Sequence, residues 1–544
     1  TAGWQGLIGE NRPLRLKAGT TQTILWDLED YYCGYVVAEL SGGKGARLNV
    51  EWAESCYDDE VCRRKSDRNR IDGRHFEGYG DTFVSGGNAQ SSFASFWWRA
   101  GRYLRMVVKV ADEDLVIRKI GIEESRLPLQ MEGSVETDDA GLNAVVPLAV
   151  RGIQMCAHET YMDCPYYEQM MYVGDARLQL LTSCVMSSEQ RLHQRSLELL
   201  DWSRHVSNFV LMRHPSEPRQ LSTTFSMVWI MMIRDLAYWR RDPEFIRQLL
   251  PGMRAQLEEF RALVDEQGLL SALPGWSFID WVHADGWDFA YPPEGEFGTS
   301  GICNLLFLLA LQSAIEVEDA YGDRHLAANY RNWSANLAGA IEKAFWSPEQ
   351  GLFADDPRHR YFSEHAQCLA ILSNQFTPAI AEASFESLIQ RRDLARTTIY
   401  FSFYLLETLY HRRRGDLILE KMGFWKDLVR QGLKAPVEQP EPTRSDCHAW
   451  GSHPLFHLHA SLCGIRPASP GFRSVIVAPQ PGSLDFLESH MPHPDGQIEF
   501  CMQNAGDTWH FEIKLPGKLT GFLKMDHASF PISGHQKLEV SRAV

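Results

Sequence analysis

Short runs of alternating apolar and polar residues, separated by glycine-rich turns, fill the first part of the chain. The clearest are residues 46–54 (ARLNVEWAE), 96–110 (FWWRAGRYLRMVVKV) and 115–124 (LVIRKIGIEE). A period of two is typical of strands that bury one face. The pattern predicts an N-terminal β-sandwich over residues 1–128.

The period becomes helical from about residue 137, and about a dozen helical stretches follow. Several are apolar nearly all round, as inner helices of a two-layered ring would be, whereas others are amphipathic, as an outer layer should be. The stretches share no strict repeat, which disfavours a solenoid. This region predicts an all-α (α/α)6 barrel as the catalytic domain, over residues 129–464.

Short strands return after Pro467, in the runs SVIVAP, GQIEFCMQN, DTWHFEIKLP and LTGFLKM. They predict a small C-terminal β-sandwich domain over residues 465–544. A chain of 544 residues is too long for one compact core. A multidomain protein in the order β, α, β is therefore expected.

Charge and composition exclude some classes of partner. A net charge of −16 argues against nucleic acid, because phosphate binding needs clustered Lys and Arg. No apolar run is judged long enough to span a membrane, and residues after Thr1 lack a signal-peptide pattern. Eleven cysteines without CxxC pairs indicate reduced thiols and favour a cytoplasmic location. Export stays open, because a processing site can precede Thr1.

The charged segment 56–70 (CYDDEVCRRKSDRNR) carries no periodic apolar face. It is interpreted as a solvated loop and given no function.

Residues 161–177 (YMDCPYYEQMMYVGDAR) gather three carboxylates, Asp163, Glu168 and Asp175. Their spacings of five and seven would spread them around a helix, so a loop must bring them together. Pro165 supports a loop, since proline disfavours a helical residue before it. Asp175 then fits the N-cap of the next helix. Taken singly, the three residues also have ordinary explanations: Asp175 as a helix cap, Asp163 as a turn residue and Glu168 as a solvated side chain.

Two other segments combine polar groups with aromatic rings. Residues 435–454 (APVEQPEPTRSDCHAWGSHP) are rich in proline and hold Glu438 and Glu441 before a predicted helix. Residues 273–301 hold three tryptophans, with Asp280 among them, between glycines and prolines, which predicts a pocket rim. The alternative for the second segment is a loop packed onto the helices by its own rings.

The stretch 161–177 resembles the signature of glycoside hydrolase family 78, the α-L-rhamnosidases. In that signature Asp-Cys-Pro opens a loop bearing the catalytic acid, and Gly-Asp closes it. Residues 163–165 match the opening, Glu168 falls at the acid position, and residues 174–175 match the close. The order of the predicted domains is also that of the family. The resemblance implies an inverting enzyme that removes terminal non-reducing α-L-rhamnose from glycosides or oligosaccharides, without a metal or cofactor.

Inversion requires a general acid and a general base on opposite faces of the sugar. The resemblance implies Glu168 as the acid. It implies Glu438 as the base, because the family's base glutamate lies shortly before an Arg-Ser-Asp-Cys-His-Ala-Trp run. Glu441 is the alternative within this loop, and Glu294 and Glu296 come next.

The resemblance also implies how the sugar is held. Asp163 and Asp175 are expected to stay ionised, to bind hydroxyls and to raise the pKa of Glu168 by repulsion, keeping it protonated. Tyr172 stands where many relatives carry tryptophan, and its ring is expected to stack on the sugar. The other expected contacts to the sugar ring and hydroxyls are Trp276, Asp280, Trp281, Trp287, His448 and Trp450. A histidine at a helix start, bound to backbone carbonyls, is the alternative for His448.

Other functions stay open at this stage. One is a different (α/α)6 sugar enzyme, either a glucuronyl hydrolase or a polysaccharide lyase; a lyase would need a Tyr or His base and an Arg or Lys for the uronate. Another is a non-catalytic carbohydrate-binding protein. The sequence leaves the aglycone open, and also whether the chain is a monomer or a homodimer.

Overall fold

The structure is a computed structural model that describes residues 2–205, 207–525 and 528–541. The predicted domain ends at residues 1 and 544 lie outside these ranges. The helices are α1 (Ala2–Glu10), α2 (Ala140–Met155), α3 (Val173–Met186), α4 (Arg191–Trp202), α5 (Thr223–Trp239), α6 (Pro243–Ala262), α7 (Gly301–Tyr321), α8 (Arg324–Phe345), α9 (Glu364–Ser373), α10 (Pro378–Gln390), α11 (Ser402–His411), α12 (Gly415–Arg430) and α13 (Pro454–His457).

The strands lie mainly before and after the helical region. They are β1 (Leu14–Leu16), β2 (Thr21–Gly42), β3 (Arg47–Ala53), β4 (Tyr79–Val84), β5 (Ser91–Ala94), β6 (Arg99–Lys109), β7 (Leu115–Glu124), β8 (Ser134–Thr137), β9 (Trp346–Ser347), β10 (Leu352–Phe353), β11 (Ile465–Pro467), β12 (Ser474–Val477), β13 (Phe486–His493), β14 (Gly496–Asn504), β15 (Thr508–Lys514), β16 (Thr520–Lys524), β17 (Ser529–Ser533) and β18 (His535–Ser541).

The N-terminal strands form a seven-stranded sheet in the order β1-β7-β2-β6-β3-β4, with β5 paired to β2. In β3 the apolar side chains of Leu48, Val50 and Trp52 are buried and alternate with more exposed polar residues. The predicted period of two is therefore confirmed for this strand. Helix α1, which the pattern did not predict, packs against β1 and β7.

The segment 56–70 is irregular, but it is not the solvated loop that was expected. The side chains of Lys65 and Arg68 are only 2 % exposed, and both form ion pairs with Asp446 in the helical region. The prediction was wrong because the charges that look solvated in sequence find buried counter-charges about 380 residues away in the chain.

The helices fall into two kinds. Five are buried around most of their circumference, and consecutive members of this group contact one another: α3, α5, α7, α9 and α11. Six bury one face: α2, α4, α6, α8, α10 and α12. Helix α12 contacts α2, so the last helix of the second group meets the first. The predicted helical core between β-sheet regions is confirmed.

Residues 447–465 (CHAWGSHPLFHLHASLCGI) were expected to form one helix. They instead form a 3₁₀ turn (Ala449–Ser452), the short α13 and a π turn (Leu458–Leu462), all buried. Pro454 starts α13, where a missing backbone N–H is tolerated. This segment packs against α2 and α3, and its Phe456 ring lies 5.7 Å from Phe403 of α11.

Helix α7 is long and apolar enough, by composition, to span a membrane, contrary to the expectation that no run reaches that length. Most of it is buried among α5, α8 and α9. It is therefore a core helix of the helical region. All eleven cysteines are free thiols.

The C-terminal strands form two sheets. One has the order β11-β12-β16-β17, and the other has the order β18-β15-β14-β13-β8. Strand β8 comes from the residues just before α2 and pairs antiparallel with β13. The C-terminal β-region is thus joined by a strand from the other end of the helical region.

Candidate active site

A cavity of about 710 Å³ opens among the loops of the helical region. Its wall combines four carboxylates, two arginines and a group of aromatic rings. The lining residues are Asp163, Tyr167, Glu168, Met170, Tyr172, Asp175, Met212, Arg213, Gln220, Phe225, Trp276, Phe278, Trp281, Val282, His283, Phe289, Ala290, Glu438, Gln439, Arg444, His448 and Trp450.

The loop before α3 brings three of these carboxylates together, as its sequence predicted. Asp163 holds the loop closed, because its carboxylate accepts the Met170 N–H at 3.0 Å and its own N–H donates to the Met170 carbonyl at 2.8 Å. Asp175 lies within the first turn of α3 and is not its N-cap, which is Tyr172. The Asp175 carboxylate instead faces His448, with Oδ1 3.0 Å from Nε2.

Glu168 reaches the cavity with both oxygens hydrogen bonded. The Tyr172 hydroxyl donates to Oε2 and the Nη2 atom of Arg444 donates to Oε1, each at 2.6 Å. Burial would raise the pKa of Glu168, but these two donors outweigh it and hold that pKa below its ordinary value. The prediction that repulsion keeps Glu168 protonated is therefore wrong, because it did not include the Arg444 guanidinium.

Glu438 lies opposite, in the proline-rich loop after α12. Its two oxygens accept hydrogen bonds of 3.2 Å from Nε and Nη2 of Arg444. Its carbonyl accepts the indole N–H of Trp450 at 2.9 Å, and its N–H donates to Ser445 at 3.1 Å. Arg444 thus bridges the two glutamates, because its Nη2 atom donates both to Oε1 of Glu168 and to Oε1 of Glu438.

Three buried groups at the inner end of the cavity, Asp163, Asp175 and His448, have shifted pKa values. Burial raises the pKa of Asp163 to about 7 and also raises that of Asp175, so Asp163 titrates near neutrality instead of staying fully ionised as expected. Burial would lower the pKa of His448, but the hydrogen bond to Asp175 and the charge of Glu438 raise it to about 9. His448 is therefore a cation at neutral pH, and it offsets part of the buried negative charge.

Aromatic rings form the apolar wall. Trp276 stacks on Phe289 with ring centroids 5.7 Å apart, and Phe278 lies edge-on to Trp281 at 5.3 Å. Trp450 continues this wall towards His448, at 4.3 Å. Among the described residues, the indole N–H groups of Trp276 and Trp281 are buried without a hydrogen-bond partner.

Two predicted sugar contacts lie behind this wall. Asp280 is fully buried, and its carboxylate accepts hydrogen bonds from the N–H and hydroxyl of Thr398 and faces His365 Nε2 at 3.0 Å. Trp287 packs on the same histidine with centroids 4.9 Å apart. The structure corrects both assignments: neither residue lines the cavity, and Asp280 anchors the aromatic loop to the segment before α11.

The alternative bases also lie away from the cavity lining, within the part of the chain that the structure describes. Glu441 is paired with Arg68 and accepts the Thr443 N–H at 3.1 Å. Glu294 is exposed and paired with Arg360, and Glu296 is exposed.

Two arginines were missed by the sequence interpretation. Arg444 belongs to the run that pointed to Glu438, but the run alone gave no sign that its side chain reaches back to Glu168. Arg213 lies in an irregular segment between α4 and α5, donates to the Tyr172 hydroxyl and lies 3.9 Å from Glu168. The available signal was general: a loop with three carboxylates needs cations nearby to offset its negative charge.

Asp163, Cys164 and His448 could in principle share a metal ion. Their groups are already engaged, because the Cys164 thiol donates to Asp163 at 2.9 Å and His448 faces Asp175. Burial raises the pKa of the Cys164 thiol well above its ordinary value, which opposes the thiolate that a metal needs. The expectation of no metal stays a prediction.

The chain resembles known proteins along most of its length. Residues 130–462 match the model of the bacterial alpha-L-rhamnosidase six-hairpin glycosidase domain, and residues 464–528 match that of the bacterial alpha-L-rhamnosidase C-terminal domain. An alpha-L-rhamnosidase of Alteromonas sp. (strain LOR) is 21 % identical over 411 residues. That match covers 70 % of this chain but only 43 % of the relative, so the chain spans less than half of its length.

Solved structures share the fold. A GH78 family rhamnosidase of Bacillus sp. GL1 superposes with a TM-score of 0.83 at 23 % identity, covering 94 % of this chain and 54 % of the other. A rhamnosidase from Klebsiella oxytoca with rhamnose bound gives 0.66 at 20 %, covering 81 % and 88 %. An alpha-L-rhamnosidase of Streptomyces avermitilis complexed with L-rhamnose gives 0.73 at 16 %, covering 97 % and 52 %. With more than half of its residues matched by the glycosidase-domain model, the chain belongs to the bacterial alpha-L-rhamnosidase six-hairpin glycosidase family.

Proposed function

We propose that the chain is an inverting α-L-rhamnosidase that hydrolyses terminal non-reducing α-L-rhamnosides, with Glu168 as general acid and Glu438 as general base. The observation that carries this proposal is the pair of carboxyl groups in one cavity, joined through Arg444. Glycoside hydrolysis requires such a pair on either side of the scissile bond. The family membership and the rhamnose named for two of the structural relatives support the choice of sugar.

The acid must gain a proton before it can act. The hydrogen bonds from Tyr172 and Arg444 favour ionised Glu168. A sugar that enters between Glu168 and Glu438 excludes water from the acid, and this desolvation raises the pKa of Glu168. Protonated Glu168 then donates to the glycosidic oxygen as the bond to the anomeric carbon breaks.

Glu438 completes the reaction on the opposite face. It takes a proton from a water molecule whose oxygen bonds to the anomeric carbon, which yields β-L-rhamnose and the free aglycone. The ionised share of Asp163 and Asp175 stabilises the positive charge that develops on the sugar. Trp276, Trp281 and the ring of Trp450 offer apolar area to the C–H face and the methyl group of rhamnose.

We infer that the helices form a closed (α/α)6 barrel. The buried helices α3, α5, α7, α9 and α11, with the segment 449–462, supply six inner elements, and the six one-faced helices supply the outer layer. The contact of α12 with α2 and the six-hairpin description of the family support closure. We also infer sandwiches at both ends, with boundaries near residues 128 and 464, and a cytoplasmic location in keeping with the free thiols.

Stereochemistry tests the mechanism directly. The two oxygens that share Arg444 Nη2, at 2.6 and 3.2 Å, lie within about 6 Å of each other, short of the about 6.5 to 9.5 Å between the carboxyl groups of inverting enzymes. Inversion therefore requires the two side chains to move apart when the sugar and the water enter. Proton NMR of aryl α-L-rhamnoside hydrolysis should show β-L-rhamnose first. Initial α-L-rhamnose would contradict the water mechanism, and no hydrolysis would favour a binding protein.

The assignment of the base has a matched control in the same loop. Glu438→Ala should lower kcat at least about a hundredfold, within the range for general-base catalysis. Glu441→Ala removes a carboxylate three residues away that pairs with Arg68 outside the cavity, and it should keep most activity. The reverse order of effects would show that Glu441 is the base.

A further inference from the structure

We propose that the preferred leaving group carries a carboxylate, as a uronic acid does, and that Arg213 and Arg444 bind it. This inference rests on the proposed function, because it assigns the leaving-group side of the same cavity.

The two arginines flank the proposed acid. Arg444 Nη2 lies 2.6 Å from one oxygen of Glu168, and Arg213 Nη1 lies 3.9 Å from the other. Since Glu168 protonates the glycosidic oxygen, the first residue of the leaving group must lie next to Glu168. A group on that residue therefore meets one or both guanidinium ions.

Exposure separates a sugar end of the cavity from a leaving-group end. The side chains of Asp175 and His448 are 3 % and 4 % exposed, whereas those of Glu168 and Arg444 are 24 % and 44 % exposed. Arg213 is intermediate at 16 %. The terminal sugar fits the enclosed end, and the leaving group fits the open end where the arginines lie.

Protonation of the acid leaves these cations short of negative charge. Glu168 must be neutral when it donates its proton, so Arg444 then keeps only Glu438 as an anionic partner, and Arg213 keeps none within the cavity. The carboxylates among the described lining residues are Asp163, Glu168, Asp175 and Glu438, and Asp175 is paired with His448. A carboxylate on the substrate would restore the balance at the open end.

Arg213 is built to receive such a group. Its Nη1 donates to the Tyr172 hydroxyl and its guanidinium lies over the Tyr172 ring at 5.3 Å, so the guanidinium is held in place beside Glu168. Guanidinium ions bind carboxylates through paired N–H donors. The chain as a whole has a charge of −16, so attraction of an anionic substrate must come from these local cations.

Two disaccharides that differ only in this group provide the test: α-L-rhamnosyl-D-glucuronic acid and α-L-rhamnosyl-D-glucose with the same linkage. We expect kcat/KM to favour the uronate between about tenfold and a hundredfold, the range for a hydrogen bond to a charged group, mainly through a lower KM. Arg213→Gln should reduce this ratio towards one, and Arg213→Lys should retain part of it. The folding of both variants is checked by their melting temperatures.

A linkage-independent measurement accompanies the kinetics. Glucuronate should inhibit hydrolysis of an aryl α-L-rhamnoside at lower concentration than glucose does, and Arg213→Gln should remove the difference. Aryl rhamnoside hydrolysis without any preference for the uronate, as substrate or inhibitor, would overturn the carboxylate proposal while leaving the rhamnosidase intact. Failure to hydrolyse every rhamnoside would overturn the proposed function itself.

Discussion

The loop that bears Glu168 and the loop that bears Glu438 are both anchored to the N-terminal β-region, but by different forces. The acid loop is held by neutral groups: the Tyr166 hydroxyl donates to the Trp52 carbonyl at 3.0 Å, and Trp97 donates to Gln169 at 2.7 Å. The Tyr79 hydroxyl also donates to the Tyr166 carbonyl.

The base loop is held by buried ions. Lys65 donates to the Arg444 carbonyl at 2.6 Å and lies 3.2 Å from the Asp446 carboxylate. Arg68 pairs with the same carboxylate at 3.0 Å, and Glu54 accepts the Asp446 N–H at 2.9 Å. Burial would raise the pKa of Asp446, but Lys65 and Arg68 lower it to about 2.

The comparison shows how one β-region can position the loops of the proposed acid and base with different sensitivities. A neutral hydrogen bond contributes little net stability, so its loss is modest. A buried ion pair depends on both partners, because either one alone is an uncompensated charge in a poorly solvating interior. The base loop should therefore respond to substitution and pH far more than the acid loop.

The largest effect is expected from Lys65→Met. The change leaves Glu54 and Asp446 buried without the ammonium group, and it should lower the free energy of unfolding by about 3 to 5 kcal/mol. Chemical denaturation of the full chain measures it. Lys17→Met, which removes the cation of an exposed pair with Asp114 in the same N-terminal region, is the control and should leave the denaturation midpoint unchanged. Equal shifts for both variants would contradict the comparison.

The next effect concerns pH. Burial raises the pKa of Glu54 to about 7, above its ordinary 4.5. Between these values the folded chain keeps a proton that the unfolded chain has lost, so this group makes stability fall as pH rises, by at most about 1.4 kcal/mol per pH unit. Glu54→Gln should flatten the stability curve between pH 4.5 and 7. An unchanged slope would show that Glu54 is ionised in the folded protein.

Arg444→Gln should change the pH dependence of activity. Without the guanidinium, the pKa of Glu168 rises, so the alkaline limb of the kcat/KM profile moves to higher pH if Glu168 is the acid. Arg444→Lys retains a cation and should give a smaller shift. A limb that stays in place in both variants would assign it to another group, and His448, with a pKa of about 9, would be the next to test.

The smallest effect is expected from Tyr166→Phe. It removes one neutral hydrogen bond to the Trp52 carbonyl and should cost about 1 kcal/mol of stability, with only a small loss of kcat. Denaturation and turnover are measured together. A loss as large as that of Lys65→Met would mean that the neutral anchor is as important as the ionic one.

Local signals account for what the sequence determined. Alternation in β3 and the helical period after residue 137 reflect which face of each element is buried, and that information lies within a few neighbouring residues. The loop around Pro165 was predictable for the same reason. Proline restricts the backbone of the residue before it, and the Asp163 carboxylate accepts the N–H of Met170, only seven residues away. These signals fixed the order of regions and the loops that carry Glu168 and Glu438.

Tertiary structure alone decided the electrostatics. Arg444 lies 276 residues from Glu168 along the chain, and Lys65 lies 379 residues from the carbonyl it binds, so no spacing rule relates them. Nor does a spacing rule relate Asp280 to Thr398, whose N–H donates to the Asp280 carboxylate from 118 residues away. A pKa depends on the distance to every nearby charge and on burial, and both quantities exist only after the chain has folded. Residues 161–177 predicted one loop with three carboxylates, the family resemblance implied Glu438 as the fourth, and folding decided which of these groups hold protons.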